Sequence, residues 1–273
     1  MKKLLSATLG LLASLSLVGC GGASTTESPE NTIVIGASST PHADILEAAR
    51  PLLNEKGFDL NIVVFQDFVL PNKALVEGEL DANYFQHIPW LEQSNADNGT
   101  DLTVATGVHI EPIGIYSAIH ESLADLPEGA RIIMSNSVSD QGRLLGLLQS
   151  YGLITLDPEV DIPAARLDDI IENPHNFVFE ANIDAGMLVQ AYRNNEGDAV
   201  LINTNFALDG GLNPMEDALA LESSDSPFVN VVAVNAGDEN SEKIQALVEV
   251  LHSEEIYNFI IETFEGAVVP VTQ

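Results

Sequence analysis

The sequence contains a single cysteine, Cys20, among its 273 residues. Without a second cysteine, neither an intramolecular disulfide nor a zinc site built from several cysteines can form. Cys20 precedes the folded body that the later pattern predicts, so a thiol nucleophile in that body is also excluded. Any chemistry of the body must come from histidine, carboxylate, amide, guanidinium or aromatic groups.

Basic residues are also scarce. Ten Lys+Arg stand against 41 Asp+Glu, which gives a formal net charge of −31. Binding to nucleic acid or to anionic lipid requires clustered Lys and Arg, so we expect neither. Apolar residues are not scarce: they make up 45% of the chain. This is enough for a hydrophobic core and rules out wholesale disorder.

No apolar run is long enough to span a bilayer. The N-terminal run Leu4–Val18 has 15 residues, whereas a spanning helix needs about 20. After a short basic start it is typical of a secretory signal. The tetrapeptide LVGC that ends at Cys20 resembles the lipobox of bacterial lipoproteins, which predicts a signal peptide at 1–19 and lipidation of Cys20. An ordinary signal peptide with a chance cysteine is the alternative. Residues 20–31 are small and polar and predict a flexible tether.

The signature motifs of several enzyme classes are missing. No GxGxxG follows a predicted strand, and neither GxxxxGK[ST] nor GxSxG occurs. A dinucleotide-binding enzyme, a phosphate-loop enzyme and a hydrolase with a nucleophile elbow are therefore not indicated. The acids are so numerous that a pair of carboxylates carries no information. We expect a protein that is not an enzyme and that needs no cofactor.

Short apolar runs alternate with helical periodicity from Ile33 onward, which predicts an α/β fold with mainly parallel sheets. One helix is predicted to begin at Thr40 and Pro41, and another, after Ser139 as its cap, at Asp140. The predicted strands are 32–36, 60–65, 81–85, 102–108, 113–117, 131–135, 177–180, 199–202 and 229–234.

Six histidines are present, and none forms an HxH or HExxH motif. His42, His87 and His109 together with a carboxylate could still hold zinc or manganese, so a metal-capturing surface lipoprotein is the leading alternative function. The other three histidines are expected at surface or capping positions.

The segment from Asp81 to Trp90 places polar groups beside aromatic ones where a strand ends and a helix begins. Phe85 and His87 lie in it. In open α/β sheets this carboxyl end of the strands is where ligands bind. A pair of core aromatic residues followed by a turn is the alternative.

Arg143 falls in the first turn of a predicted helix, where a cation is unfavourable unless an anion accompanies it. Its guanidinium could bind a carboxylate with two hydrogen bonds. A structural salt bridge to one of the many acids is the alternative. Asn203 and Asn230, beside predicted strands, could bind the polar end of a zwitterion, or act as turn formers.

Taken together, these segments resemble the methionine-binding lipoproteins of bacterial ABC importers, the NlpA-type lipoprotein family. The resemblance runs from Ile33 to Pro270. The stretches that carry it are PHADILE, DFVLPNKAL, GELDANYFQHIPWLEQ, VHIEPIGIYS, QGRLLGLLQSYGLI, VLIN, ALESSDSPFVN and GAVVP.

The resemblance implies a two-lobe periplasmic-binding-protein fold of type II with a ligand cleft between the lobes. The first lobe would comprise residues 32–110 and 222–273, and the second lobe residues 111–221. The implied function is capture of L-methionine, or of a related apolar amino acid or methionine-containing peptide, for delivery to a permease. The implied protein is a monomer that is lipid-anchored in the cell envelope and works with permease and ATPase subunits.

The resemblance also implies roles for single residues. Arg143 would bind the ligand carboxylate, and Asn203 and Asn230 would hold the rest of the head group. Phe68 and Phe85 would line a thioether pocket with His87. Phe68 stands where the family often has tyrosine, and the run from Ser135 to Asp140 also departs from the family pattern. A structural or adhesive surface lipoprotein is a third interpretation.

Overall fold

The structure, a computed structural model, describes residues 30–271. Thirteen strands are formed in these residues: β1 (Thr32–Ser38), β2 (Asp59–Phe65), β3 (Ala82–His87), β4 (Thr103–Ile110), β5 (Gly114–Tyr116), β6 (Arg131–Ser135), β7 (Thr155–Leu156), β8 (Ile170–Glu172), β9 (Val178–Ile183), β10 (Ala199–Ile202), β11 (Ala218–Leu221), β12 (Val229–Val234) and β13 (Val269–Pro270). The α-helices are α1 (Asp44–Glu55), α2 (Leu70–Val76), α3 (Ile88–Asn98), α4 (Val138–Ser150), α5 (Leu188–Arg193), α6 (Thr204–Asp209), α7 (Pro214–Asp217), α8 (Glu242–Leu251) and α9 (Glu254–Phe264).

The first sheet has six strands in the order β13-β4-β12-β3-β1-β2. Side chains alternate between its two faces, as the period of a strand requires. Ile33 of β1 and Val232 of β12 pack with α1, α8 and α9, whereas Val231 packs on the opposite face with Leu75 of α2 and Leu91 of α3. Both faces of this sheet are therefore covered by helices.

The second sheet has five strands in the order β11-β5-β10-β6-β9. Ile132 packs with Leu144 and Leu148 of α4, and its neighbour Ile133 packs on the other face with Leu188 of α5. A separate two-stranded sheet joins β7 and β8. Burial on both faces explains why these strands are continuous apolar runs in the sequence.

The predicted α/β fold is confirmed, but the prediction of mainly parallel sheets is wrong. The pairs β1–β2, β1–β3, β6–β9 and β6–β10 are parallel, whereas β12 inserts antiparallel between β3 and β4, and β5 lies antiparallel between β10 and β11. Both sheets are mixed because β3 and β10 each pair in parallel with one neighbour and antiparallel with the other.

Two helix starts also differ from the prediction. A single turn of π-helix occupies Ser39–Ala43, with Thr40 in an extended conformation, so α1 begins only at Asp44. Helix α4 begins two residues earlier than predicted, because Ser137 rather than Ser139 is its cap. The Ser137 hydroxyl accepts a hydrogen bond from the backbone N–H of Asp140 at 3.3 Å.

The chain crosses between the two large sheets at residues 111–113 and again at 222–228. The crossings lie side by side, since the backbone N–H of Glu222 donates to the carbonyl of Ile113 at 2.9 Å. None of the helices in residues 30–271 has the length and apolar character needed to cross a bilayer. The predicted signal peptide, Cys20 and nearly all of the predicted tether lie outside the described residues.

Candidate ligand-binding site

A cavity lies where the carboxyl ends of β3 and β10 meet the first turn of α4 and the start of β12. It has about 400 Å³ of free space, a volume that includes its open mouth. The structure brings all six residues proposed from the sequence as ligand contacts to this one cavity. Its lining consists of His42, Phe68, Phe85, Gln86, His87, Trp90, Glu111, Asp140, Arg143, Asn203, Thr204, Asn205 and Asn230.

Local sequence explains how the end of β3 is shaped. His87 ends the strand and caps α3: its Nδ1 accepts a hydrogen bond from the backbone N–H of Trp90 at 3.1 Å. Pro89 occupies the first turn of α3, where a missing N–H costs nothing. The hydrogen bond to Trp90 fixes the imidazole at the edge of the cavity. Its Nε2 therefore points towards α4, which packs on the second sheet.

Arg143 is almost fully buried in α4 and lines the cavity. Its Nε donates to Oε2 of Glu222 at 2.8 Å, and its Nη2 donates both to the same oxygen and to the backbone carbonyl of Glu111. The guanidinium carbon lies 4.7 Å from the ring centroid of Phe228. The structural salt bridge expected as the alternative is therefore present, and the arginine also borders the cavity.

Asp140 is buried in the first turn of α4 and accepts hydrogen bonds from two sides. His87 Nε2 lies 2.8 Å from Oδ1, and Asn203 Nδ2 donates to Oδ2 at 3.3 Å. Burial alone would raise the pKa of Asp140. The contact with His87, the positive charge of Arg143 and the hydrogen bond from Asn203 outweigh burial and lower the pKa from 3.8 to about 2. Asp140 is therefore ionised at neutral pH.

His42, His109 and Glu111 form a second buried cluster. His109 Nε2 lies 2.8 Å from Glu111 Oε1, and Tyr84 Oη is bonded to His109 Nδ1. His42 Nε2 lies 3.1 Å from Asn230 Oδ1 and 3.3 Å from Glu111 Oε1. Both Nε2 atoms face only acceptors, so each must carry its proton.

Burial lowers the pKa of His42 from 6.5 to about 4, so His42 is neutral at pH 7. Burial raises the pKa of Glu111, but contacts with His42 and His109 and the charge of Arg143 outweigh it and lower that pKa. The side chains thus form a hydrogen-bond network around one buried carboxylate, in which Nδ1 of His42 is buried without a partner among the described residues.

The same cluster is the candidate metal site of the alternative function. The nearest donor atoms of His42, His109 and Glu111 lie within 4.8 Å of one another. His87, the other histidine of the predicted metal set, is bonded to Asp140 instead. The Nε2 atoms that face Glu111 carry protons, so a metal ion bound through either of them would require that ring to change tautomer.

Two asparagines present opposite polarities to the cavity. The Nδ2 of Asn203 donates a hydrogen bond to Asp140, and its Oδ1 is buried with no hydrogen-bond partner among the described residues. Asn230 Oδ1 accepts from His42, which leaves its Nδ2 as the group available to a ligand. The site therefore offers a buried acceptor at Asn203 and a donor at Asn230.

Aromatic rings line the remaining wall. The ring centroid of Phe68 lies 6.1 Å from that of Phe85, 5.7 Å from that of Trp90 and 4.9 Å from that of Phe206. Phe206 belongs to α6 beside the second sheet, so Phe68 contacts residues from both sheets. Phe206 was not among the ligand contacts expected from the sequence.

Sequence reasoning missed several residues of the site, most clearly Glu111, Asp140 and Glu222. Each is one of 41 acids, and no local motif separates them from the acids at the surface. The one usable signal was position: Asp140 lies in the same helix turn as Arg143, and Glu111 and Glu222 begin the segments at the implied lobe boundaries.

Comparison with known proteins gives a consistent result. The model of the NlpA lipoprotein family matches residues 33–272. The methionine-binding lipoprotein MetQ of Bacillus subtilis is 48% identical over 276 residues, which cover both chains completely. The D-methionine-binding lipoprotein MetQ of Escherichia coli is 34% identical, covering 98% of this chain and 97% of the relative.

Solved structures agree. A putative methionine-binding lipoprotein from Bacillus subtilis superimposes with a TM-score of 0.88 at 49% identity, covering 90% of this chain and all of the other. A nutrient binding protein from Burkholderia cenocepacia bound to methionine gives a TM-score of 0.83 at 36% identity, with coverage of 88% and 100%. A periplasmic substrate-binding protein of an ABC transporter from Coxiella burnetii gives 0.82 at 33%, also with coverage of 88% and 100%. These likenesses confirm the predicted fold class.

Proposed function

This chain belongs to the NlpA lipoprotein family, and from that premise we propose that it is the substrate-binding lipoprotein of an ABC importer that captures L-methionine. The observation that carries the proposal is the cavity in which a guanidinium, an amide carbonyl without a partner among the described residues and an aromatic wall face one another. A zwitterion with an apolar side chain complements all three. The relatives named above, including the methionine-bound structure, support the same ligand.

We assign the ligand groups by matching donors to acceptors. The carboxylate binds Arg143 and the Nδ2 of Asn230, which are donors, and the ammonium binds the unpartnered Oδ1 of Asn203. The side chain lies against Phe68 and Phe85, with His87 at the edge. Aromatic rings suit a polarisable sulfur atom, which contacts ring edges favourably.

Ligand capture would couple to closure of two lobes, residues 32–110 with 222–273 and residues 111–221. The two adjacent crossings at 111–113 and 222–228 would act as the hinge. A ligand that touches residues from both sheets stabilises the closed state in proportion to its differential affinity for that state. The hydrogen bond between His87 and Asp140 would form on closure and break on opening.

The remaining parts of the proposal concern location and partners. Lipidation of Cys20 would anchor the protein in the cell envelope, where it would deliver ligand as a monomer to permease and ATPase subunits without acting as an enzyme. Palmitate labelling of the full chain in a bacterial host should disappear in Cys20→Ser. Labelling that persists in this variant would contradict the anchor.

Thermal unfolding after chelator treatment tests the ligand against the metal alternative. We expect L-methionine to raise the Tm in a concentration-dependent way, because it binds the folded state alone, and L-serine to have little effect. Native mass spectrometry of the purified protein should detect a bound amino acid. A shift with zinc alone that is lost in His42→Ala would instead favour the metal-capturing function, and no shift with either would contradict both.

A further inference from the structure

Glu222 accepts hydrogen bonds from one edge of the Arg143 guanidinium, the group that would bind the carboxylate of the proposed ligand. Nε and Nη2 of Arg143 both donate to Oε2 of Glu222, and among the described residues only Nη1 has no hydrogen-bond partner. The pair is well shielded, with 3% of the Arg143 side chain and 13% of the Glu222 side chain exposed. One nitrogen of the guanidinium therefore remains for cargo.

The carboxylate of Glu222 is itself held by both crossings between the sheets. Its Oε2 accepts from the backbone N–H of Ile113 at 3.3 Å, and its Oε1 accepts from the hydroxyl of Ser226 at 2.9 Å. Ile113 lies in the first crossing, and Glu222 and Ser226 lie in the second. Glu222 thus connects Arg143 of α4 to both segments at once.

A backbone carbonyl also connects Arg143 to the first crossing. Arg143 Nη2 donates to the carbonyl of Glu111, which is also in the first crossing. A long arginine side chain normally loses considerable rotamer freedom when it binds a ligand. Three hydrogen bonds to protein groups hold the guanidinium of Arg143 and restrict that freedom without any contribution from a ligand.

We infer that Glu222 is a positioning residue that holds Arg143 in the orientation needed to bind a ligand carboxylate through Nη1. This inference rests on the proposed function and adds a determinant of head-group recognition to it. Glu222 does not contact the ligand itself. Its removal should weaken recognition of the carboxylate and leave recognition of the ammonium and side chain intact.

Calorimetric titration with two ligands separates this role from a structural one. L-methioninol keeps the ammonium and the thioether of L-methionine but lacks the carboxylate. In Glu222→Ala we expect the affinity for L-methionine to fall about 3- to 10-fold, comparable to the cost of ordering one long side chain. The affinity for L-methioninol should stay within about 2-fold of the wild-type value, since no hydrogen bond to a carboxylate is involved.

Three further variants complete the experiment. Glu222→Gln keeps the shape of the side chain and lacks its charge, so it tests the positioning role even if Glu222→Ala does not fold. In Glu222→Gln we expect weaker binding of L-methionine and unchanged binding of L-methioninol. Glu180→Ala is the control: it removes the partner of Arg131 in a more exposed ion pair of the second sheet. This variant should bind both ligands as the wild type does. The double variant Arg143→Ala, Glu222→Ala should bind L-methionine as weakly as Arg143→Ala, because the two residues act as one unit.

The outcomes are distinct. An unchanged or higher L-methionine affinity in both Glu222 variants would overturn the positioning role, and an equal loss for both ligands would show that Glu222 supports the fold only. If the wild-type protein binds no L-methionine in this titration, the proposed function itself fails.

Discussion

His87 and Asp140 join the two large sheets across the cavity: Nε2 of the histidine, at the end of β3, lies 2.8 Å from Oδ1 of the aspartate in the first turn of α4. Asp140 is 2% exposed and His87 is 8% exposed. The aspartate also lies at a helix N-terminus, where negative charge is favourable. This contact therefore combines a hydrogen bond to a buried carboxylate, a helix end and a connection between separate parts of the chain.

The first prediction concerns stability in acid. The folded-state pKa of Asp140 is about 2, below its ordinary 3.8, so its contribution is complete above about pH 4 and is lost as the pH falls towards 2. The difference corresponds to about 2 kcal/mol. Urea unfolding should show Asp140→Asn less stable than wild type at pH 5, with the gap closing towards pH 2. The exposed Asp238→Asn should follow the wild type, and a gap for Asp140→Asn that does not depend on pH would contradict the assignment.

The second prediction concerns His42 at milder pH. Its folded-state pKa is about 4 and its ordinary value is 6.5. As the pH falls, His42 is therefore protonated in the unfolded chain before it is protonated in the folded chain. Stability is full above about pH 6.5 and falls by about 3 kcal/mol as the pH drops to 4. His42→Gln should flatten this part of the profile of free energy of unfolding against pH, whereas exposed His175→Gln should not. An unaltered slope in His42→Gln would show that other groups cause the loss.

The third prediction concerns the ligand carboxylate. Arg143→Ala should weaken L-methionine binding about 30- to 1000-fold, or about 2–4 kcal/mol, because a buried carboxylate would lose its charged partner. Calorimetry measures the affinity directly, and circular dichroism confirms that the variant folds. Arg131→Ala, at the more exposed pair with Glu180, is the matched control. Near-wild-type affinity in Arg143→Ala would refute the assigned role.

The fourth prediction concerns the ammonium. Asn203 has a buried Oδ1 without a partner among the described residues, so Asn203→Ala removes an acceptor that only a ligand would satisfy. The affinity for L-methionine should fall about 10- to 100-fold, and stability without ligand should fall by about 1–3 kcal/mol because the hydrogen bond from Nδ2 to the ionised Asp140 is also lost. Exposed Asn194→Ala should alter neither quantity. A large loss of stability without any loss of affinity would assign Asn203 to the fold instead.

The fifth prediction concerns the residue before Arg143. A Cβ on Gly142 would lie 2.2 Å from the carbonyl oxygen of Ile162 and 2.6 Å from that of Pro163. These are backbone atoms and cannot turn away, so Gly142→Ala should cost about 2 kcal/mol or more in unfolding free energy and also weaken L-methionine binding. In Gly146→Ala the new Cβ meets only a side-chain methyl of Ile162, so the effect should be smaller. Equal stabilities for the two variants would count against this packing.

Much of the fold was predictable because its signals are local. The strands β6, β10 and β12 lie where continuous β-branched and apolar runs predict them. The antiparallel insertion of β12 was not predictable, since pairing between distant strands leaves no mark on either strand alone. The cap of α4 was missed because Ser137 and Ser139 both suit the position, and only the hydrogen bond to Asp140 distinguishes them.

The candidate site was also predictable only in part. Arg143, Asn203, Asn230, Phe68, Phe85 and His87 could be named from residue type, predicted position and a family resemblance. Their partners could not be named, since His42 and Asn230 are 188 residues apart and Arg143 and Glu222 are 79 residues apart.

By itself, then, the sequence determined which elements form and which polar side chains stand at their ends, because propensity, periodicity and capping act over a few neighbouring residues. Only the tertiary structure decided which of many equivalent acids pair with Arg143 and His87, which amide oxygen of the site stays free, and which nitrogen of the guanidinium remains available. The physical reason is that these choices depend on desolvation and on distances across packed elements, and both arise only when the two sheets come together.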